Sequence, residues 1–195
     1  MKRPPGRPLA ASDEEIFNAA FDLFREHGFE TTTMPMIAER VGIGRSTLFR
    51  RFSSKTAIIW YARAELTDEF AANLAAQPPG TELADGAFEA YRAIWTARPQ
   101  LVASGKEMLR IIEGASPETA VKWQAYEAWA EHVHRYVLER TGLPETDTAA
   151  RAAAMAIWAA IWAGAVEFGL LDSDSIDEHL DRARAAIQVR LPAAR

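Results

Sequence analysis

Proline and glycine cut this chain into segments that carry helical period and nothing else. Residues 2–8 (KRPPGRP) hold too many prolines for helix and read as a flexible arm. Ser12 or Asp13 then supplies an N-cap, with Glu14 and Glu15 in the first turn, where acids suit the helix dipole. Ile16, Ala20, Leu23, Phe24 and His27 follow on one helical face, and Gly28 stops that helix. Thr31 to Thr33 offer the next cap, for a short helix from Met34 to Val41 in which Pro35 falls in the first turn. Gly42-Ile43-Gly44 is a tight turn before a third short helix, Arg45 to Phe52. Ser53 or Ser54 caps a fourth, running to about Ala76, and Gln77-Pro78-Pro79-Gly80 ends it. That break is the clearest punctuation between two functional regions. Beyond it, Pro99, Gly114 to Pro117, Gly142 to Pro144 and the Asp172–Ser175 cluster leave helical segments near 82–97, 100–113, 118–141, 146–170 and 175–190. No stretch alternates with strand period, so the expected fold is all-α with about nine helices.

The 195 residues fit one large domain or two small ones, and 49% of them are apolar. A chain of this size buries roughly 70% of its unfolded surface and folds without a staple. There is no cysteine, which removes disulfides, thiolate metal sites and thiol nucleophiles together. The basic start lacks the apolar stretch of a secretory signal. The most apolar window, Ala152 to Val166, holds 15 uncharged residues between Arg151 and Glu167. That is short of the ~20 a membrane span needs. The expectation is a soluble cytoplasmic protein without a membrane partner.

A net charge of -5 argues against a nucleic-acid partner only when the chain is taken whole. The first 60 residues hold nine Lys/Arg against seven Asp/Glu, while the rest hold 13 against 20. From Arg40 to Lys55 there are five bases and no acid. Phosphate affinity follows local charge and counterion release, so such a run suits a phosphate contact as well as a solvated face. Residues 33–52 also have the pattern of a helix-turn-helix. Ile37, Val41, Ile43 and Leu48 supply the apolar contact, Ala38 the close approach and Gly42 the turn. The second helix then presents Arg45, Ser46, Thr47, Phe49, Arg50 and Arg51 outward. Arginine can fork onto guanine O6 and N7 in the major groove, and hydroxyls serve base or phosphate.

The run G-F-E-T-T-T-M-P-M-I-A-E-R-V-G-I-G-R-S-T-L-F-R-R-F-S-S-K-T-A-I-I (Gly28 to Ile59), with the preceding I-x-x-A-A-x-x-L-F-x-E-x-G-F, resembles the DNA-binding domain of the TetR family of transcriptional regulators. The likeness covers about residues 12–60. It implies an arm over 1–11, a DNA-binding domain over 12–60 and a helical ligand-binding and dimerisation domain over 61–195. It further implies a homodimer on a palindromic double-stranded operator, with Arg45 to Phe52 in the major groove. By position, Thr33, Arg45, Ser46 and Thr47 fall toward bases or nearby phosphates. Phe49 stands where the family often has Tyr, Arg51 where it often has His, and Lys55 at the phosphate-binding lysine. Phe49 lacks the hydroxyl of a usual phosphate contact, which the charges of Arg50 and Arg51 can replace. In the arm, Arg3 and Arg7 suit a narrow A·T-rich minor groove, although a tail that touches nothing fits the same residues.

Five of six tryptophans lie after residue 80. Trp158, Ile161, Trp162, Ala165 and Phe168 form a helical stripe read as core. Where tryptophans meet between helices they also line cavities, and in the TetR family this region holds a ligand pocket. Trp95, Met108, Ile112, Trp123, Tyr126 and Trp129 are the candidate lining residues. The last two helices, 146–170 and 175–190, take the dimer role that the resemblance implies, with alanines allowing close approach. The runs E-M-L-R-I-I-E and Y-E-A-W-A-E-H-V-H-R-Y-V-L-E-R-T-G-L-P are similar to regulators of the mycofactocin system. That likeness implies an acyl-CoA-type hydrophobic effector, whose phosphates Arg92, Arg98, Lys106 or Arg110 would meet.

Two other classes compete. Glu131 and His134 form a Glu-x-x-His, which di-iron bundles use in pairs, but no second copy exists, so a solvated pair is expected. No glycine-rich nucleotide loop or catalytic set is present, and neither metal nor cofactor is expected. A ligand carrier with a relic DNA-binding domain would have no reason to keep an acid-free basic face. The sequence therefore reads as a ligand-responsive repressor, not an enzyme. Effector in the C-terminal region would shift the fourth helix and so the spacing of the recognition helices.

Overall fold

A computed structural model describes residues 11–99, 102–114, 121–171, 173, 175–189 and 191. Within its helices, the side chains of 60, 62–65, 103, 104, 112, 114 and 121–125 lie outside that description. Among the described residues the chain forms nine α-helices and no strand. They are α1 (Asp13–His27), α2 (Met34–Arg40), α3 (Arg45–Arg51), α4 (Lys55–Ala75), α5 (Leu83–Ala97), α6 (Val102–Gly114), α7 (Val121–Thr141), α8 (Thr148–Leu170) and α9 (Ile176–Ala185). By its contacts the chain divides into Met1–Ala64 and Glu65–Arg195.

In the first unit the local signals act as their chemistry dictates. Ser12 caps α1, and Glu15 closes a capping box by accepting from the Ser12 N–H. Gly28 ends the helix at φ 85°, in the region glycine enters without strain. Thr32 is fully buried, and its hydroxyl lies 3.0 Å from Leu23 O and 2.8 Å from Gly28 O. That one proton satisfies a buried polar group and ties the end of α1 to the entry of α2. Thr33 caps α2, with the Met36 N–H 3.4 Å from its Oγ1. The turn to α3 passes through Gly42 at φ 68°. Ile16, Leu23 and Phe24 of α1, Ile37 and Ala38 of α2, Leu48 of α3 and Ile58 of α4 are all buried in the core of this unit. Leu48 alone, at 0% exposure, adds about 1.5–3 kcal/mol of apolar burial that anchors α3.

The second unit is built around α8, which packs along α7 and α9 and against α6. Asp147 caps it through the Ala150 N–H at 2.8 Å. Because α8 runs past the uncharged window on both sides, it is long and apolar enough to cross a membrane by composition, with mean hydropathy 1.6. This departs from the expected shortfall. Yet 61% of its most apolar stretch is buried inside the protein, with Ile157, Trp158, Ile161, Ala165 and Phe168 almost fully covered. Helix α9 ends at Ala185, five residues before the expected 190. The Ala186 N–H turns back to Ala183 O, and Pro192 disfavours helix at the residue before it.

Candidate nucleic-acid interface and effector region

Helix α3 is short, so one buried residue fixes which side faces out. With Leu48 turned inward, Arg45, Ser46, Phe49 and Arg50 are exposed and Thr47 is half-buried. Phe49 is 49% exposed, an uncommon position for a large apolar ring. It offers apolar contact to a thymine methyl or to sugar without a hydroxyl to donate. Among the described residues, Arg45 and Arg50 make no ion pair, so their forked donors point to solvent. Thr33 is exposed at the start of α2.

The three other members of the basic run work inside the domain. Arg51, expected on the outward face, bonds Asp13 and the Ala11 carbonyl. The last turn of α3 sits against the first turn of α1, where Asp13 also suits the helix dipole. Lys55 Nζ donates to the Phe29 and Glu30 carbonyls and lies 4.4 Å over the Phe29 ring. Partial burial lowers its pKa, with nearby Glu30 opposing the shift. Two of its three protons are thus engaged, leaving one for a phosphate. Arg40 pairs with Glu26 at 2.6 Å, joining α2 to α1. Of the five clustered bases, Arg45 and Arg50 are the pair left facing solvent. Arg3 and Arg7 lie outside the described residues.

In the second unit, Phe70, Tyr91, Trp129 and Trp158 form a continuous aromatic cluster. Trp129 stacks on Trp158 at 5.1 Å and meets Phe70 at 5.0 Å. Tyr91 bridges Trp129 and Trp95, at 5.7 and 6.1 Å. Tyr126 lies 6.2 Å from Trp158. The structure therefore brings Trp95, Tyr126 and Trp129 together through Tyr91 and Trp158. Met108 is buried on α6, and the side chains of Ile112 and Trp123 lie outside the described residues. The indole nitrogens of Trp95 and Trp158 are buried without an acceptor, an uncommon state for a buried donor. The sequence reading missed Phe70 and Tyr91, whose helical spacing marks them only as core.

Of the bases named for effector phosphates, Arg92, Arg98 and Lys106 are engaged elsewhere, while Arg110 is partly exposed beside Glu107. Arg92 pairs with Asp177, with Asp181 at 2.6 Å and with Glu89 at 3.2 Å. Arg98 lies 3.0 Å from Glu69, and Arg110 lies 3.8 Å from Glu107. Lys106 donates to the Ser173 carbonyl and sits 4.7 Å over the Phe168 ring. Glu131 and His134 are also not the solvated pair expected. His134 is only 1% exposed, because the residue turns into the α7–α8 contact. Its Nδ1 lies 3.8 Å from Glu131. Among the described residues, no group of three or more His, Cys, Asp or Glu is placed to hold a metal ion.

Residues 16–60 match the family described as bacterial regulatory proteins, tetR family. The chain is 28% identical over 142 residues to MftR of Mycobacterium tuberculosis, named as a mycofactocin biosynthesis transcriptional regulator. That match spans 73% of this chain and 72% of MftR. It is 31% identical over 88 residues to the HTH-type transcriptional regulator TcmR of Streptomyces glaucescens, 45% of this chain and 39% of TcmR. Among solved structures, FadR of Thermus thermophilus, a TetR family repressor in complex with lauroyl-CoA, superposes with TM-score 0.60 at 20% identity. It covers 94% of this chain and 99% of that one. FadR of Bacillus halodurans, a fatty acid degradation regulator, gives 0.60 at 14% identity over 91% and 100%. The buried Leu48 and the exposed basic α3 it presents thus lie within residues 16–60, the stretch that matches the DNA-binding domain of the tetR family of bacterial regulatory proteins.

Proposed function

We propose that the protein is a repressor that binds a palindromic operator as a homodimer and is released by a hydrophobic effector with a long acyl chain. The observation that carries the DNA reading is the solvent-facing pair Arg45 and Arg50 on a helix pinned by a fully buried Leu48. Two such helices reach successive major grooves when they stand about 34–36 Å apart. Arg45, Ser46 and Thr47 read bases, while Lys55 meets phosphate with its remaining proton. The effector reading rests on the unpaired indole N–H groups of Trp95 and Trp158 beside apolar rings. It is supported by the lauroyl-CoA bound to the Thermus thermophilus FadR. Release would be a population shift, so the effector must prefer the non-binding state by several kcal/mol.

The test is a titration of the full chain against labelled DNA from upstream of its own gene, near physiological salt and with excess competitor. Saturation at sub-micromolar protein with a protected palindrome supports the operator reading, and loss of binding with competitor overturns it for that DNA. Random-sequence selection extends the test to all sequences. Lauroyl-CoA and laurate are then added separately. Release by both marks the acyl chain as the recognised part, and release by lauroyl-CoA alone requires the engaged arginines to exchange partners. Release by neither overturns the effector reading while leaving the operator reading intact.

A further inference from the structure

Helices α7 and α8 leave a recess of about 630 Å³ between them, within the size range of small-molecule sites. Tyr126, Glu127, Glu131 and His134 line it from α7, and Arg151 and Met155 from α8, with alanines between. It lies on the flank of α8 toward α7, whereas Gly164 of the same helix touches α9. Its lining omits the Trp129–Trp158 stack.

The informative side chain is His134. It is 1% exposed, and neither ring nitrogen has a hydrogen-bond partner. A neutral imidazole carries one donor and one acceptor, and buried polar atoms in folded proteins are rarely left without partners. Glu131 is near but does not serve, since 3.8 Å is beyond hydrogen-bond reach. The other oxygen of Glu131 stands 3.7 Å from Arg151, with both side chains about half exposed, so that pair is weak. Glu127 is exposed on the same face and makes no ion pair among the described residues. The recess thus sets two carboxylates against one guanidinium. Met155 and the alanines give it an apolar wall, and the Tyr126 hydroxyl lies 3.3 Å from the Met155 carbonyl.

We infer that this recess, which adjoins the aromatic effector region at Tyr126, binds a small amphipathic amine. The ammonium lies between Glu127 and Glu131, a polar group of the ligand engages the His134 ring, and the apolar body rests on Met155 and the alanines. The proposal stands or falls without reference to DNA release, because its readout is direct binding.

Tryptamine is the probe, with indole-3-propionate as the matched acid, each titrated calorimetrically into the full chain. The expected result is saturable one-to-one binding of tryptamine. Binding falls by about tenfold or more with indole-3-propionate and in the Glu127→Gln/Glu131→Gln variant, as loss of charge-assisted contacts requires. Both glutamates are largely exposed, so the variant retains its thermal midpoint. Long-range ¹H–¹⁵N spectra give the second readout. The His134 ring signals, assigned by their loss in His134→Gln, shift on adding tryptamine. Absence of saturable binding, equal binding of the acid, full affinity in the glutamine variant or an unmoved His134 signal each overturns the proposal.

Discussion

Arg45 and Arg51 share one seven-residue helix, yet their surroundings give them different work. The Arg45 guanidinium faces solvent, whereas that of Arg51 is held by Asp13 and the Ala11 carbonyl. Arg51→Ala removes a partly buried ion pair and leaves a carbonyl short of a donor. It should cost about 1 kcal/mol of stability and lower the melting midpoint by about 2–4 °C. Arg45→Ala should leave the midpoint unchanged and weaken operator binding by ~1–3 kcal/mol, in a way that depends on the base it reads. Calorimetry and binding assays on both variants decide the matter, and equal midpoints would remove the structural role given to Arg51. This is also where sequence reading reaches its limit. An arginine displays its charge in any sequence, but Asp13 lies 38 positions away, and only the fold brings it near. His134 shows the same limit in reverse, since the residue pattern around it reads as solvent-facing while helix packing buries it.

At the scale of elements, the caps and glycine stops were legible because each acts within four residues of itself. Pairings between helices were not. Gly169 of α8 is an example. A Cβ there would stand 2.6 Å from Leu109 Cβ on α6, too close for either atom to remain in place. Replacing helical glycine by alanine ordinarily stabilises by about 1 kcal/mol. Here overpacking should reverse the sign and cost ~1–3 kcal/mol, visible as a lower urea midpoint for Gly169→Ala; a raised midpoint would mean that α6 yields freely. The α8–α9 pairing should respond to acid. Glu167 of α8 lies 3.2 Å from His179 Nδ1 and 3.2 Å from Arg182 on α9. His179 first, and then the Arg182 charge, hold its carboxyl below the ordinary 4.5 despite some desolvation. A depressed carboxylate stabilises the fold above its unfolded value and ceases to do so as pH falls through its folded value. The stability that Glu167 contributes relative to Glu167→Gln should therefore be lost as pH falls through and below about 4.5. Urea unfolding at a series of pH values measures it, and a difference independent of pH would refute the link.

For the whole molecule, the outstanding question is what covers the outer face of α8. Hydropathy alone is silent here, because a helix apolar on every side has no patterned face and packing alone shows which residues remain outside. In the structure these include Ala152, Ala156, Ala159, Ala163 and Leu170, which fall along one line of the helix, with Arg151 and Met155 exposed beside them. Small side chains permit close approach of a second helix, and a two-fold dimer would place the same face against itself. Any substitution on that face then acts twice. Ala159→Arg would set two guanidinium groups into the proposed contact with no carboxylate provided for them, at a cost of several kcal/mol per buried charge. The side chain of Ala159 is exposed within one subunit, so the subunit's own fold and helicity should be unaffected. Sedimentation should show the native chain as a dimer and Ala159→Arg as a monomer with the same circular dichroism. Operator affinity should fall by about 10²–10⁴, because the second half-site loses the effective concentration that linkage provides. Affinity for an isolated half-site should change little. A variant that remains dimeric would place the subunit contact on another surface, and a monomer that keeps full operator affinity would show that the two half-sites bind independently.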